Sequence, residues 1–396
     1  MVLSENQRIV LATVRKKGMI AINDIVENSK LSSATGSRLI NKLIAERFLI
    51  KTSPKDGIVN TLAKGRPQKY VQWYGKSHYA IGLDIGTTSI KGGIIDLNGS
   101  IYKEVEVENN PLNEPELCFE KINDIISRLY NNDIVEKQKI LGVGIAFAGL
   151  INKNENIISF SPAFNWHNID PMKMLSNDTG LPIYFDNVTR VMALGEIYLG
   201  EGKNFSNFVY INIGYGIGAS VIINGRVYKG TNGYAGEFGH VLTKPNSNFE
   251  CSCGQKGCLT TTSSGEFIAK RAINRLCRGE KSILSNYEHS AIDAKKIFEE
   301  AEKGDELCIS VIDVALEYLA YRLVDLERII DPEVIIIGGG ITSSEEYFFR
   351  ELRKKMELLN MKYSRKHEAQ ILPRTFAKSA TIIGAGILVA QNTLNL

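Results

Sequence analysis

Residues 236–258 restrict what this 396-residue chain can be more than any other stretch. They read Gly-Glu-Phe-Gly-His, ten further residues, then Cys-Ser-Cys-Gly-Gln-Lys-Gly-Cys. His240, Cys251, Cys253 and Cys258 thus offer one imidazole and three thiolates. That is the donor number and softness of a closed tetrahedral zinc site. Glycines within the run let a short loop fold around an ion. Four protein donors leave no position for water, so the spacing predicts a structural rather than a catalytic zinc. In a cytosolic chain a tight cysteine cluster reads as metal before disulfide. Cys118, Cys277 and Cys308 are scattered and read as ordinary thiols.

The length suggests two or three domains with a sizeable core. Apolar residues make up 44% and charged residues 23%, which argues against a disordered or coiled-coil body. No run reaches the ~18 apolar residues that span a bilayer, and MVLSENQRIV lacks the layout of a signal peptide. The expectation is a cytoplasmic protein with no membrane partner.

The net charge of +3 hides an asymmetry. Residues 1–76 hold 14 basic and 5 acidic side chains, while the remainder holds 33 and 39. A basic head on an acidic body is what a polyanion partner selects. The head reads as a winged helix-turn-helix. Residues 5–16 fit a short amphipathic helix with Ile9, Val10, Ala12 and Val14 as its apolar positions. Residues 20–29 give a second helix with Asn23 as a cap. Ser32 or Ser33 then opens a third, with Leu39, Ile40, Leu43 and Ile44 as its buried stripe.

Ser33, Thr35, Ser37 and Arg38 occupy the exposed start of that third helix, the part that enters a major groove, and Lys42 follows one turn on. FLIKT and KYVQW read as strands of a hairpin whose tip carries Lys55, Lys64 and Arg66. Arg66 lies between Gly65 and Pro67 on an extended segment suited to a minor groove. The predicted partner is double-stranded DNA, with a linker near Tyr74-Gly75-Lys76 joining head to body.

From Tyr79 the pattern changes to strands alternating with helices. YAIGLDIGTTSIKGGIIDLNG is a strand, a Gly/Thr turn with Asp84, Gly86, Thr87 and Thr88, and a second strand with Lys91. VYINIGYGIGASVIING repeats the style at 209–225, and Gly338-Gly339-Gly340 follows the apolar run Val334–Ile337. Such turns can cradle a phosphate, though none has P-loop or dinucleotide spacing. Together they resemble the motifs of the two-lobed actin-like ATPase and sugar-kinase fold. With the helical head and the Cys/His motif, the chain resembles the ROK family (repressors, open reading frames and sugar kinases) over essentially its whole length. Within it, SPAFNWHNID is similar to the xylose repressors. The implied fold class is α/β: a winged helix over 1–76, a first lobe over 79–190 completed by a C-terminal helix at 377–396, and a second lobe over 191–376.

The resemblance implies sugar contacts at Asn187, Glu237 and His240, with the zinc loop beside them. It also exposes departures. In family kinases an aspartate near the sugar hydroxyl accepts its proton; register with Gly195-Glu196 places Val188 there. Valine cannot accept a proton, and losing such a base forfeits ~10²–10⁴-fold in rate. A one-residue slip would instead offer Asp186, at the expense of an insertion in the following helix. Tyr215 stands for a threonine in the second turn, Ala148 for a proline, Ala163 for an asparagine and Thr260 for a glutamate. The expectation is a non-enzyme that senses a sugar or sugar derivative, without ATP. Such a repressor would act as a homodimer or tetramer on a palindromic operator. The alternatives are an active sugar kinase with a DNA-binding head and a regulator governed by a protein partner.

Overall fold

The computed structural model describes residues 3–29, 31–53, 68–112, 114–176, 178–343, 345–360, 369–376 and 379–394. In chain order the head contains α1 (Glu5–Lys17), β1 (Ile20–Ala21), α2 (Ile22–Asn28), α3 (Ser33–Ala45), β2 (Leu49–Thr52) and β3 (Tyr70–Trp73). Next come β4 (Tyr79–Ile85), β5 (Ser89–Asp96), β6 (Ile101–Glu108), α4 (Pro115–Tyr130) and β7 (Ile140–Phe147). A small antiparallel sheet follows, β8 (Leu150–Asn152), β9 (Ile157–Ser161) and β10 (Trp166–Ile169), then α5 (Pro171–Met174), β11 (Ile183–Asn187) and α6 (Val188–Tyr198). The remainder is β12 (Phe208–Ile213), β13 (Ile217–Ile223), β14 (Arg226–Tyr228), α7 (Leu259–Ser263), α8 (Gly265–Cys277), α9 (Ala294–Glu302), α10 (Glu306–Ile330), β15 (Val334–Gly338), α11 (Glu345–Asn360), β16 (Gln370–Pro373) and α12 (Ala380–Leu394).

The head forms as its local signals dictate. A capping box opens α1: Gln7 N–H donates to Ser4 Oγ at 3.3 Å, and Ser4 N–H donates to Gln7 Oε1 at 2.9 Å. Ser32 caps α3, accepting from Thr35 N–H at 3.3 Å. Three details differ from the sequence expectation. The inner face of α1 is Gln7, Val10, Leu11 and Val14, the i, i+3, i+4, i+7 stripe, so Ile9 turns outward. Asn23 lies inside α2, whose N-cap is Ala21 without a side-chain bond. Ile20–Ala21 leaves the helix to pair with β3, giving a sheet of order β1-β3-β2. Lys55, Lys64 and Arg66 lie outside the described residues.

The molecule divides into two compact units: residues 1–147, 172–186 and 380–396, and residues 148–171 and 187–379. The head therefore belongs to the first unit rather than standing apart. Leu3, Leu11, Phe48, Leu49 and Val71 of the head share one buried cluster with Leu97, Ala390 and Leu394. Tyr74-Gly75-Lys76, the expected linker, is held in a single turn. Tyr74 N–H donates to Phe48 O at 2.9 Å, Leu97 N–H donates to Gly75 O at 3.0 Å, and Gly75 and Ser77 are buried. Residues 148–171 join the second unit, because their small sheet packs with the 230–236 loop: Lys153 N–H donates to Asn232 O and Ser159 Oγ meets Tyr234 Oη at 2.8 Å.

Each unit carries a five-stranded sheet of one design, β11-β7-β4-β5-β6 and β14-β13-β12-β15-β16. In both, an antiparallel hairpin closed by a glycine turn (β4–β5, β12–β13) lies beside a parallel neighbour (β7, β15). In the first unit α12 packs on β4 and β7. A Cβ on Gly144 would lie 1.9 Å from Ala385 O, so helix and strand backbones touch. In the second unit α10 buries Leu316, Leu319 and Leu323 in one cluster with Val209 and Ile211 of β12 and Ile335 and Ile337 of β15. Among the described residues no helix is long and apolar enough to cross a membrane.

Candidate functional site

The loop between β14 and α7 brings His240, Cys251, Cys253 and Cys258 together, with their donor atoms all within 4.8 Å of one another. His240 Nδ1 is 3.5 Å from Cys251 Sγ, and the Cys253 and Cys258 sulfurs are 3.7 Å apart. Thiolates 2.3 Å from a tetrahedral zinc stand ~3.8 Å apart, so the spacing fits that ion. The loop is closed by its own backbone. Thr243 and Lys244 N–H both donate to Gly257 O, and Cys251 N–H donates to Gln255 O at 2.8 Å. Gly257 has φ +82, and a Cβ there would meet Lys244 O at 2.1 Å, so no larger residue fits. Burial, followed by the adjacent Cys251 thiol, pushes Cys258 up to about 12. A cation held here must displace that proton, which couples its binding to pH.

A polar group adjoins this loop within the second unit. Asn187 caps α6: its Oδ1 accepts from Thr189 N–H at 2.9 Å and Arg190 N–H at 3.3 Å, and its Nδ2 donates to Gly149 O at 2.9 Å. Arg190, 3% exposed, donates from Nη1 to Gly233 O at 2.8 Å. Glu237 is pushed up by burial and drawn back by the Arg190 guanidinium. Its Oε2 is 3.9 Å from His240 Nε2, and burial holds His240 below its ordinary value. Asn187 and Glu237 are thereby tied to one network, Asn187 through the start of α6 and Glu237 through Arg190.

The positions expected to depart from the family's kinases are also among the described residues. Val188 opens α6 with no polar atom on its side chain. Thr260 is buried and donates to Gly239 O at 2.9 Å, bracing the 238–240 turn. Asp186 is 3% exposed at the end of β11. Arg190 is the participant that sequence reasoning passed over. Its signal was available, since an arginine two residues into an Asn-capped helix of largely apolar sequence must find a partner.

On α3 the structure leaves Ser33, Arg38 and Lys42 exposed and Thr35 and Ser37 half-buried. Arg38 and Lys42, four residues apart, share a face. Lys42 Nζ also lies 3.7 Å from Glu46 Oε1, a pair whose lysine is exposed and whose attraction solvent screens. Near the end of β4, before the first glycine turn, Asp84 is pushed up by burial and eased by a hydrogen bond from Thr381 of α12.

A ROK family model matches residues 80–392. The chain is 29% identical over 332 residues to a glucokinase of Halalkalibacterium halodurans, covering 81% of this chain and 96% of that protein. It is 26% identical over 394 residues to the xylose repressor of Bacillus spizizenii, covering 99% and 96%. Among solved structures, a ROK family transcriptional regulator described as a homolog of the E. coli MLC protein superposes with a TM-score of 0.80 at 24% identity. It covers 98% of this chain and 96% of that one, and shows the fold. The α/β body with its two matching sheets, the Cys/His loop and the family match over four-fifths of the sequence agree: this chain belongs to the ROK family.

Proposed function

We propose that the protein is a DNA-binding regulator of carbohydrate-utilisation genes, a repressor, whose sugar-kinase-like body senses a sugar or sugar derivative and transfers no phosphate. One observation carries this reading: the residue that opens α6, Val188, has no proton acceptor, in a chain that aligns with a xylose repressor from end to end. Phosphoryl transfer needs a group that takes the proton of the attacking hydroxyl.

In this reading α3 enters the major groove with Ser33, Thr35, Ser37, Arg38 and Lys42 facing the duplex, and Arg66 is a further DNA contact. Two copies place their heads on the halves of a palindromic operator. Asn187, Glu237 and His240 line the sugar pocket. His240, Cys251, Cys253 and Cys258 hold a structural zinc, which supplies a fixed loop and no chemistry. A ligand that binds one arrangement of the protein more tightly shifts the population toward it, and operator affinity changes by that difference. The cytoplasm is where such an operator is found.

The deciding experiment is a mobility shift with the DNA upstream of the chain's own gene, with and without a sugar panel led by xylose and glucose. Retarded DNA that one sugar releases supports the reading. ADP formation with any sugar of the panel would favour a kinase with an accessory head. A shift that no sugar alters would favour control by a protein partner.

A further inference from the structure

The three cysteines and the histidine that meet before α7 are not equally placed. We propose that Cys253 is a peroxide-sensitive switch residue: its oxidation closes a disulfide to Cys258 and releases the zinc that this loop holds. The inference rests on the zinc reading above and does not depend on what the head binds.

Cys253 is the outlying donor. Gly254 N–H donates to Cys251 O at 2.8 Å, so Cys253 stands at the corner of a tight turn. Cys251 is 3% and Cys258 0% exposed. Cys253 is half-buried, and its neighbours Ser252, Gly254, Gln255 and Lys256 are exposed. A Cβ on Gly254 would meet nothing within 4 Å among the described residues. A small oxidant arriving from solvent therefore meets this sulfur before the other two.

Cys258 is the fixed partner. It pairs with Leu242 in an isolated bridge, and its carbonyl accepts from Thr261 Oγ1 at 2.7 Å at the start of α7. Its Sγ is 3.7 Å from that of Cys253. Sulfurs in a disulfide stand about 2.05 Å apart, a gap that rotation of the Cys253 side chain on its open corner can close. Coordination to zinc keeps both residues as thiolates, the form that attacks peroxide and disulfide sulfur alike.

Hydrogen peroxide balances the chemistry. The Cys253 thiolate attacks one peroxide oxygen; an S–O bond forms, the O–O bond breaks and hydroxide leaves. The Cys258 thiolate then attacks the Cys253 sulfur; an S–S bond forms, the S–O bond breaks and a second hydroxide leaves. The two sulfurs together give up two electrons, and the peroxide oxygens take them. A dithiol returns those electrons and restores both thiolates. In the oxidised loop only His240 and Cys251 remain as donors, where a closed site needs four. The 238–240 turn beside Glu237 then keeps the Thr260 bond to Gly239 O and loses its metal tie.

The test uses the full chain carrying Cys277→Ser, which removes an exposed thiol outside the cluster. The protein is loaded with zinc, freed of excess and treated with hydrogen peroxide. A chromogenic chelator reads the released metal, and peptide mass mapping reads the bridge. The expected result is release of about one zinc per chain together with a Cys253–Cys258 disulfide, both reversed by dithiothreitol and added zinc. Cys253→His offers a fourth donor that cannot form the bridge and should release zinc at least about tenfold more slowly. If that variant takes up no zinc, the map on the native donors decides alone. Zinc retained at peroxide concentrations that fully oxidise Cys277 of the native chain would overturn the inference, and so would release with a bridge between any other pair. A chain that holds no zinc before peroxide is added sinks the zinc reading itself, whereas zinc held throughout sinks only this inference.

Discussion

The Phe48 ring of the head stacks on the His78 imidazole, with centroids 4.8 Å apart and planes 12° from parallel. His78 lies just before β4, and its Nδ1 is 3.0 Å from Ser77 Oγ. The stack is one of the contacts that make head and first sheet a single body. Burial, then the Lys139 charge, holds His78 below its ordinary value of 6.5.

A depressed histidine makes this junction sensitive to acid. Below pH 6.5 the unfolded chain takes up a proton that the folded chain resists, so stability falls as pH drops through that value and beyond. His78→Phe keeps the stack and removes the titration. Melting temperatures from pH 7.5 down to 5 should fall less steeply in the variant than in the native protein. Because His240 is present in both, parallel slopes would count against His78 as the source.

Leu394 is fully buried in the head's own core although it belongs to the last helix. Leu394→Ala should cost about 2–5 kcal/mol, as for other buried leucines. The loss should appear first as weaker operator retention and faster amide exchange in α1 and α3. Unchanged exchange there would show that the head holds together without α12.

Removing the metal should loosen a loop rather than unfold the chain, because the α10 core does not include the cysteine cluster's donors other than through α7. Purified protein should carry one zinc per chain by elemental analysis. Cys258→Ser should abolish it and lower the melting temperature, with each kcal/mol worth about 1 °C in a protein of this size. Full zinc retention in the variant would contradict the donor set.

Arg38→Ala should weaken operator binding and leave zinc content intact. If Arg38 meets a phosphate, the salt dependence of binding should flatten by about one unit of slope. If it reads a guanine, it should cost about 1–3 kcal/mol and relax specificity at one position. Native affinity in the variant would remove it from the reading surface.

How much of this was legible beforehand follows from distance along the chain. The Ser32 cap, the strands β2 and β3, the glycine turns and the four clustered Cys/His side chains are set by residues a few positions apart. Local backbone geometry governs such features. The equivalence of the two sheets was half visible, because β12–β13 repeats the hairpin style of β4–β5 while the order of the outer strands leaves no trace in spacing.

Ile9 and Leu11 are comparable apolar residues, and only packing against α3 and β3 decided which turned inward. Arg190 reaches Gly233 across 43 positions, and Leu394 enters a core whose other members begin at Leu3. Sequence alone determined the chemistry on offer: a thiolate-rich cluster, a basic head and an aliphatic Val188 directly after Asn187. Tertiary structure decided which surfaces bury one another. It fused head to first sheet and gave Asn187, Arg190 and Thr260 bracing bonds, because burial energy depends on the partner surface and not on the residue that is buried.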